Sequence, residues 1–510
     1  MFFVINVKSL SGQGGLLDVK KGIVYSNIRQ QAAKEREKTM ADFHKVLQYF
    51  SELSQIPRGS GNEKQVSDYL VQWGRDRGLE ALQDEKNNVL IRRPAAPGGE
   101  NRPGMIFQGH MDMVCEKTEE STHDFLTDPI ELIVEDGVMR AKDTTLGADN
   151  GVGVAMGMAL LEEEIPEAPM LELLVTTDEE TGMSGAIALS HEWLRGKQLI
   201  NVDSEEEGVL TAGSAGGITF FIDRELKKQN SKGQKAYRLN FSGLLGGHSG
   251  QNIHEPRGNM AILMLELLTR LSGSCTLQVQ SMAAGTFDNV IPGSGTAEIQ
   301  SDDLTEEIWN TCVGEWKTKH QDLLGELSVE RAPVEAAPEV WEESLFRDLS
   351  MMLHTLPNGV HSMVPGMELV ESSSNIALIH EREGKLHIEI SLRSSNEDRL
   401  AEMRDEIASI LDNCHMPYRI GAEYPSWIYT EESPLREKAE KLFLEIYGKP
   451  IETIVVHAGL ECGCIYEKYP DMDMISIGPN IEGAHSPNER FELASGERVF
   501  DFLEKLVLAK

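Results

Sequence analysis

Three scarcities bound this chain before any motif is read. Positive charge is one: 48 Lys and Arg stand against 83 Asp and Glu, a formal charge of −35. Nucleic acids and anionic membranes select basic faces, so both are excluded as partners. Long apolar runs are also missing, and none approaches the roughly 18 residues needed to span a bilayer. Cysteine is the third, with Cys115, Cys275, Cys312, Cys414, Cys462 and Cys464 in 510 residues. Cys462-Gly-Cys464 is tighter than a zinc knuckle, and no second pair completes four ligands. The six read as reduced thiols packed as small apolar groups in a cytoplasmic protein. The start, MFFVINVKSL, lacks a positive region before its short apolar run and a small-residue cleavage site after it, so it is not read as a signal peptide. Residues 1–38 have no clear pattern and are taken as an N-terminal extension of unknown role, or as sequence upstream of a start at Met40.

What is present is a set of five separated patches, each a His or carboxylate beside small residues. They are Gly-His110-Met-Asp112-Met, Leu-Gly-Ala-Asp149-Asn150-Gly, Thr-Asp-Glu179-Glu180-Thr-Gly, Asn-Val-Asp203-Ser and Gly-Ala-His485-Ser-Pro. Apolar runs end at His110/Asp112, at Glu179/Glu180 and at Asp203. The carboxyl ends of strands are where an open α/β sheet builds its site. Two His and three carboxylates suffice for two divalent ions of the zinc, manganese or cobalt type.

At 510 residues the chain exceeds what one core accommodates, and 40% apolar with 26% charged residues is ordinary for a soluble protein. From Asp42 the pattern runs helix, Pro-Arg-Gly-Ser-Gly break, helix, then β-α-β-α alternation through NGVGVAMGMALLEEE, MLELLVTT, SGAIALSHEWL and QLINVD. That alternation predicts a doubly wound sheet. Past Gly217 two successive sets of strands and helices follow, predicting an inserted α+β domain of about 200 residues, after which α/β style returns. His485 lies in that last part, so the first domain must be discontinuous. The expected division is 39–216 and 423–510 for a catalytic α/β domain with the two-metal centre, and 217–422 for the insertion.

Each patch also has a plainer reading. His-x-Asp alone is weak, although along a strand the two side chains point the same way, and Asp112 can accept the other ring N–H of His110. Asp-Asn-Gly alone is a turn or helix cap. Glu179-Glu180 is harder to dismiss, because adjacent carboxylates repel unless cations or water absorb their charge. One can bind metal while its neighbour serves as general base. The runs Glu162-Glu163-Glu164 and Glu205-Glu206-Glu207 read as solvated faces. Gly-Gly-His248-Ser-Gly reads as a flexible loop with an exposed imidazole, and Arg393 as a surface ion pair or a carboxylate-capturing group. His457 and Glu461, beside Cys462, are read either as lining the site or, the plainer reading, as ordinary buried residues.

Taken in order, GHMDMV, TTLGADNG, TDEETGMSGA, NVDSEEEG, GLLGGHSG, NVIP, LPNGV, HAGLECG, MDMISIGP and AHSPNE resemble the co-catalytic zinc peptidases, and within them the cytosolic non-specific dipeptidase branch. The resemblance runs from about Asp42 to the end. It implies His110 and Asp203 on one ion, Glu180 and His485 on the other, Asp149 bridging, Asp112 as orienting carboxylate and Glu179 as general base. It further implies that the insertion is a lid carrying His248, with Asn289 and Arg393 holding substrate polar groups, and it leans toward a homodimer. The implied activity is broad dipeptide hydrolysis, including Xaa-His, with two ions per chain, zinc first and cobalt or manganese as alternatives. An N-acyl amino acid amidohydrolase and a non-catalytic metal-binding scaffold compete with it, though a Glu179 that ligates nothing is needed only for chemistry.

Overall fold

The computed structural model describes residues 43–287, 289–364 and 369–509. The expected extension at 1–38 lies outside the described residues.

Eight strands form the first sheet, in the order Glu80–Gln83, Val89–Arg93, Leu171–Thr176, Met105–His110, Gln198–Asn201, Asp473–Ser476, Val209–Ser214, Glu452–Val456. The sheet is mixed. Met105–His110 runs parallel to both neighbours, Leu171–Thr176 and Gln198–Asn201, and Asp473–Ser476 continues the parallel set. Val89–Arg93 and Glu80–Gln83 are added antiparallel at one edge. Every residue of the three central strands Leu171–Thr176, Met105–His110 and Gln198–Asn201 is buried, as expected of parallel strands covered on both faces. The helix Ala148–Glu162 lies against this sheet, buried from Ala148 to Leu161. Its glycines permit the close approach: a Cβ on Gly153 would meet the Val202 carbonyl at 2.3 Å, and one on Gly157 would meet Leu173 Cδ1 at 2.4 Å.

A second sheet of nine strands is built from residues between Gly216 and Tyr424. The two sets of strands expected there are joined into one sheet, Gln278–Ala284 meeting Val370–Arg382 at Ala284 and Ile379. Helices Met260–Ser272, Glu306–Lys319, Glu343–Thr355 and Glu397–Asn413 contribute Leu267, Trp316, Leu349 and Met403 to its apolar core. The chain leaves the first sheet at Ser214 and returns past Trp427, and these residues exchange both backbone hydrogen bonds, at 2.9 and 3.1 Å.

Three local expectations are corrected. The helix expected over SGAIALSHEWL is only Ser184–Ala188, since the backbone turns extended at Leu189 with ψ 133°; the amides of Trp193 and Leu194 donate to the Tyr469 hydroxyl. Glu163 is no solvated side chain: it is buried and paired with Lys45 at 2.8 Å. Glu207 accepts from Nε and Nη2 of Arg498, each at 2.6 Å. The six cysteines are free; Cys312, Cys414, Cys462 and Cys464 are packed as expected, whereas Cys275 is only partly buried and Cys115 is exposed.

Candidate metal centre

The parallel strands deliver their carboxyl ends to one place. Met105–His110 ends on His110, Leu171–Thr176 leads into the loop before Glu179 and Glu180, and Gln198–Asn201 leads to Asp203. Asp149 comes from the first turn of Ala148–Glu162, and His485 from the segment after Ile481–Glu482. Asp149 stands between the two imidazoles: Oδ1 is 3.1 Å from His110 Nε2 and Oδ2 is 3.1 Å from His485 Nε2. Asp203 Oδ1 lies 3.3 Å from His110 Nε2, and Glu180 Oε2 lies 2.9 Å from His485 Nε2. Ligand atoms of His110, Asp149 and Glu180 all fall within 4.8 Å of one another.

The electrostatics are those of a cluster short of positive charge. Burial opposes a charged His110, yet the carboxylates of Asp203, Asp112 and Asp149 outweigh it and hold the imidazole well above its usual range. Hydrogen bonds to Asp149 and Glu180 push His485 up to about 11. Asp149 is buried too, but its two imidazole partners pull it below the usual carboxylate range. Burial, then neighbouring negative charge, raises Asp203, Glu179 and Glu180. Glu180 Oε1 is buried without a hydrogen-bond partner among the described residues. Carboxylates raised by burial and by one another, with the Glu180 Oε1 oxygen facing no donor, fit divalent cations, which would satisfy both deficits at once.

Asp112 is fully buried beneath this cluster, with Oδ1 3.4 Å from His110 Nδ1. Its oxygens also accept the Glu179 amide, the Glu180 amide and the Ser60 hydroxyl. It therefore ties the His110 strand to the two-glutamate turn.

The remaining three candidates sit on the second sheet's side. Gly247–His248 pairs with Val290–Ile291, so His248 lies beside Asn289, whose carbonyl accepts the Ser249 amide at 2.8 Å. The imidazole is half-buried rather than exposed, a correction to the loop reading. His248 Nδ1 accepts the amides of Gly250 and Gln251, each at 3.2 Å. That fixes the tautomer, leaving Nε2 with the proton. Burial, then the charges of Arg393 and His485, lowers His248 to about 4, so it is a neutral donor. Arg393 is no surface ion pair: it is 7% exposed, donates to the Tyr424 hydroxyl at 3.0 Å, and has its buried Nε unpartnered among the described residues.

Several residues take a place around the site that the sequence analysis did not assign to them. Gln108 Nε2 and Thr176 Oγ1 both donate at 2.6 Å to Glu461 Oε2, beneath the ligand-bearing strand ends. Burial raises Glu461 to about 7. His457 is buried with Nε2 2.7 Å from Ser373 Oγ. Arg58 and Glu489 brace the loops of the cluster, and both stand inside motifs already singled out, Pro-Arg-Gly-Ser-Gly and AHSPNE.

With this geometry in hand, comparison with known proteins is decisive. Residues 106–509 match the model of peptidase family M20/M25/M40. The chain belongs to that family. It is 33% identical over 474 residues to the cytosol non-specific dipeptidase of Escherichia coli, covering 90% of this chain and 96% of that one. The crystal structure of aminoacylhistidine dipeptidase from Vibrio alginolyticus superposes with a TM-score of 0.75 at 32% identity, over 91% of this chain and 96% of that one. A tripeptidase of Staphylococcus aureus shares the fold at a TM-score of 0.54 and 15% identity, over 91% of this chain and 99% of its own. The mixed α/β architecture is thus that of the family, and the chain is a peptidase of the hydrolase class. Among the described residues no helix is long and apolar enough to cross a membrane.

Proposed function

We propose that this protein is a cytoplasmic metallo-dipeptidase of broad side-chain preference, Xaa-His substrates included. The observation that carries the reading is Asp149, which offers one oxygen to each of two imidazoles. His110 and Asp203 would hold one divalent ion, Glu180 and His485 the other, and Asp149 would serve both; zinc is the first choice, with cobalt or manganese as alternatives. Such ions, when bound, polarise the scissile carbonyl and acidify water. Asp112 orients His110 and holds the turn that carries Glu179. Glu179, half-buried beside Glu180 and Asp203, takes the proton from the attacking water and passes it to the leaving amine. His248, neutral with its proton on Nε2, donates to the developing oxyanion. Arg393 and Asn289 hold the substrate carboxylate, and the surplus of carboxylates around the cluster suits the free α-amine.

Holding both termini is what selects dipeptides, since binding at two ends positions the carbonyl between them. A homodimer is the assembly proposed. The test is hydrolysis of a free dipeptide beside its N-acetyl form, with zinc, manganese or cobalt added. Cleavage of the free form supports the dipeptidase; preference for the acylated form makes the protein an amidohydrolase; no cleavage of either leaves a metal-binding scaffold.

A further inference from the structure

Two fully buried charged side chains outside the ligand set converge on the loop that carries Asp149. Glu489 is 2% exposed and spends both carboxylate oxygens on backbone amides. Oε2 accepts from Leu146 at 2.7 Å and Gly147 at 2.9 Å, and Oε1 from Ala148 at 2.8 Å and Asp149 at 3.2 Å. Four consecutive N–H groups thus end on one carboxylate. Arg58, also 2% exposed, treats carbonyls in the same way. Its Nη1 donates to Met111 at 2.9 Å and Asp112 at 3.1 Å, and its Nη2 to Gly147 at 2.5 Å.

These contacts join segments that share no strand. Glu489 lies just past His485 on the chain, so its grip on the Asp149 amide fixes the distance between two ligand-bearing segments. Arg58 spans the stretch after His110 and the Gly147 carbonyl, fixing a third. The loop is also sterically closed around Arg58, since a Cβ on Gly147 would meet Arg58 Nη2 at 2.5 Å. A carboxylate held by four amides loses its place when one oxygen becomes NH2, because amides then face a donor.

We infer that Glu489 and Arg58 are positioning residues that set the spacing between His110, Asp149 and His485, and so determine how tightly the paired cation sites bind. The inference rests on the reading of those three as metal ligands. Groups that orient metal ligands typically govern affinity by about 10–100-fold. That range sets the expected effect.

The experiment titrates metal-free full-length protein with Co2+ against a competing chelator, following the cobalt absorption band and melting temperature together. E489Q should bind Co2+ at least about tenfold more weakly than wild type. At limiting Co2+ its kcat for a dipeptide should fall while KM holds, and saturating Co2+ should restore kcat. Arg58→Lys, which keeps the charge but not the fork reaching three carbonyls, should weaken Co2+ in the same way. Glu482→Gln, on the exposed hairpin preceding His485, should match wild type. A lower melting temperature with wild-type Co2+ affinity in E489Q and Arg58→Lys would make both residues merely structural and overturn the inference. If E489Q fails to fold, Arg58→Lys decides by the same criterion. Wild-type protein that takes up no Co2+ overturns the metal reading itself, a pattern distinct from weakened uptake in the variants.

Discussion

Asp112 grips Glu179 by its backbone: Oδ1 accepts the Glu179 amide at 3.2 Å, leaving that side chain free of the contact. The next amide, of Glu180, goes to the other oxygen at 3.3 Å. Two adjacent glutamates are thereby presented from one fixed turn, with Glu180 directed to His485 and Glu179 enclosed among carboxylates.

Neighbours so presented should fail differently. Glu179→Gln keeps shape and is expected to retain two divalent ions while kcat falls by roughly 10²–10⁴-fold, the usual worth of a placed base. Glu180→Gln should instead lose metal affinity. Metal content and single-turnover rates measured on both variants check this, and near-native turnover in Glu179→Gln would reverse the assignment.

Metal removal should be visible in stability as well as activity. Stripped protein leaves the carboxyl groups of Asp149, Asp203, Glu179 and Glu180 crowded together without a countering cation. A ligand that binds only the folded state adds about 2.7 kcal/mol at one hundred times its Kd. Calorimetry should therefore show the melting temperature rising with added Zn2+, and metal analysis of the loaded protein should give about two ions per chain. Unchanged melting with no bound ion contradicts the centre.

Substrate length is read by the groups opposite the cluster. His248→Ala should lower kcat far more than it raises KM, because the Nε2 donor matters only once charge develops on the carbonyl oxygen. Arg393→Lys should raise KM, having lost the planar fork. Dipeptides should exceed matched tripeptides at least tenfold in kcat/KM, about 1.4 kcal/mol. The fold alone does not settle this, since a tripeptidase shares it, and equal turnover of the two lengths removes the dipeptide assignment.

Away from the centre, Asn259 caps Met260–Ser272 by accepting the Ala261 amide at 3.1 Å, and it donates to the Ile376 carbonyl at 2.9 Å. Asn259→Ala should cost about 1–3 kcal/mol, combining a lost cap with a buried carbonyl left unpaired. Urea unfolding measures it, and a change below about 0.5 kcal/mol, the range of ordinary surface substitutions, would show that the cap carries little.

The residues gathered at the centre were legible because each stands beside glycine or at the end of an apolar run, a pattern local to its patch. Glu489 and Arg58 were not legible in that way. Their partners are backbone amides and carbonyls, which have no letter in the sequence. Joining of the two strand sets into one sheet was hidden for a related reason, since the contact of Ala284 with Ile379 is a long-range register that no local alternation specifies. The helix after Met183 was overread because the helical spacing through SHEWL carries no mark of the extended backbone at Leu189, where the helix ends.

The exchange of hydrogen bonds between Ser214 and Trp427 bears on how such a chain finds its fold. Everything between them begins and ends at one point in space. To the first sheet, the intervening stretch is a loop already closed, so its length adds little to the entropy of bringing Val209–Ser214 and Glu452–Val456 together once that stretch has folded. Assembly can then proceed from the inside outward, the later nucleus completing a sheet whose two halves are synthesised far apart in time.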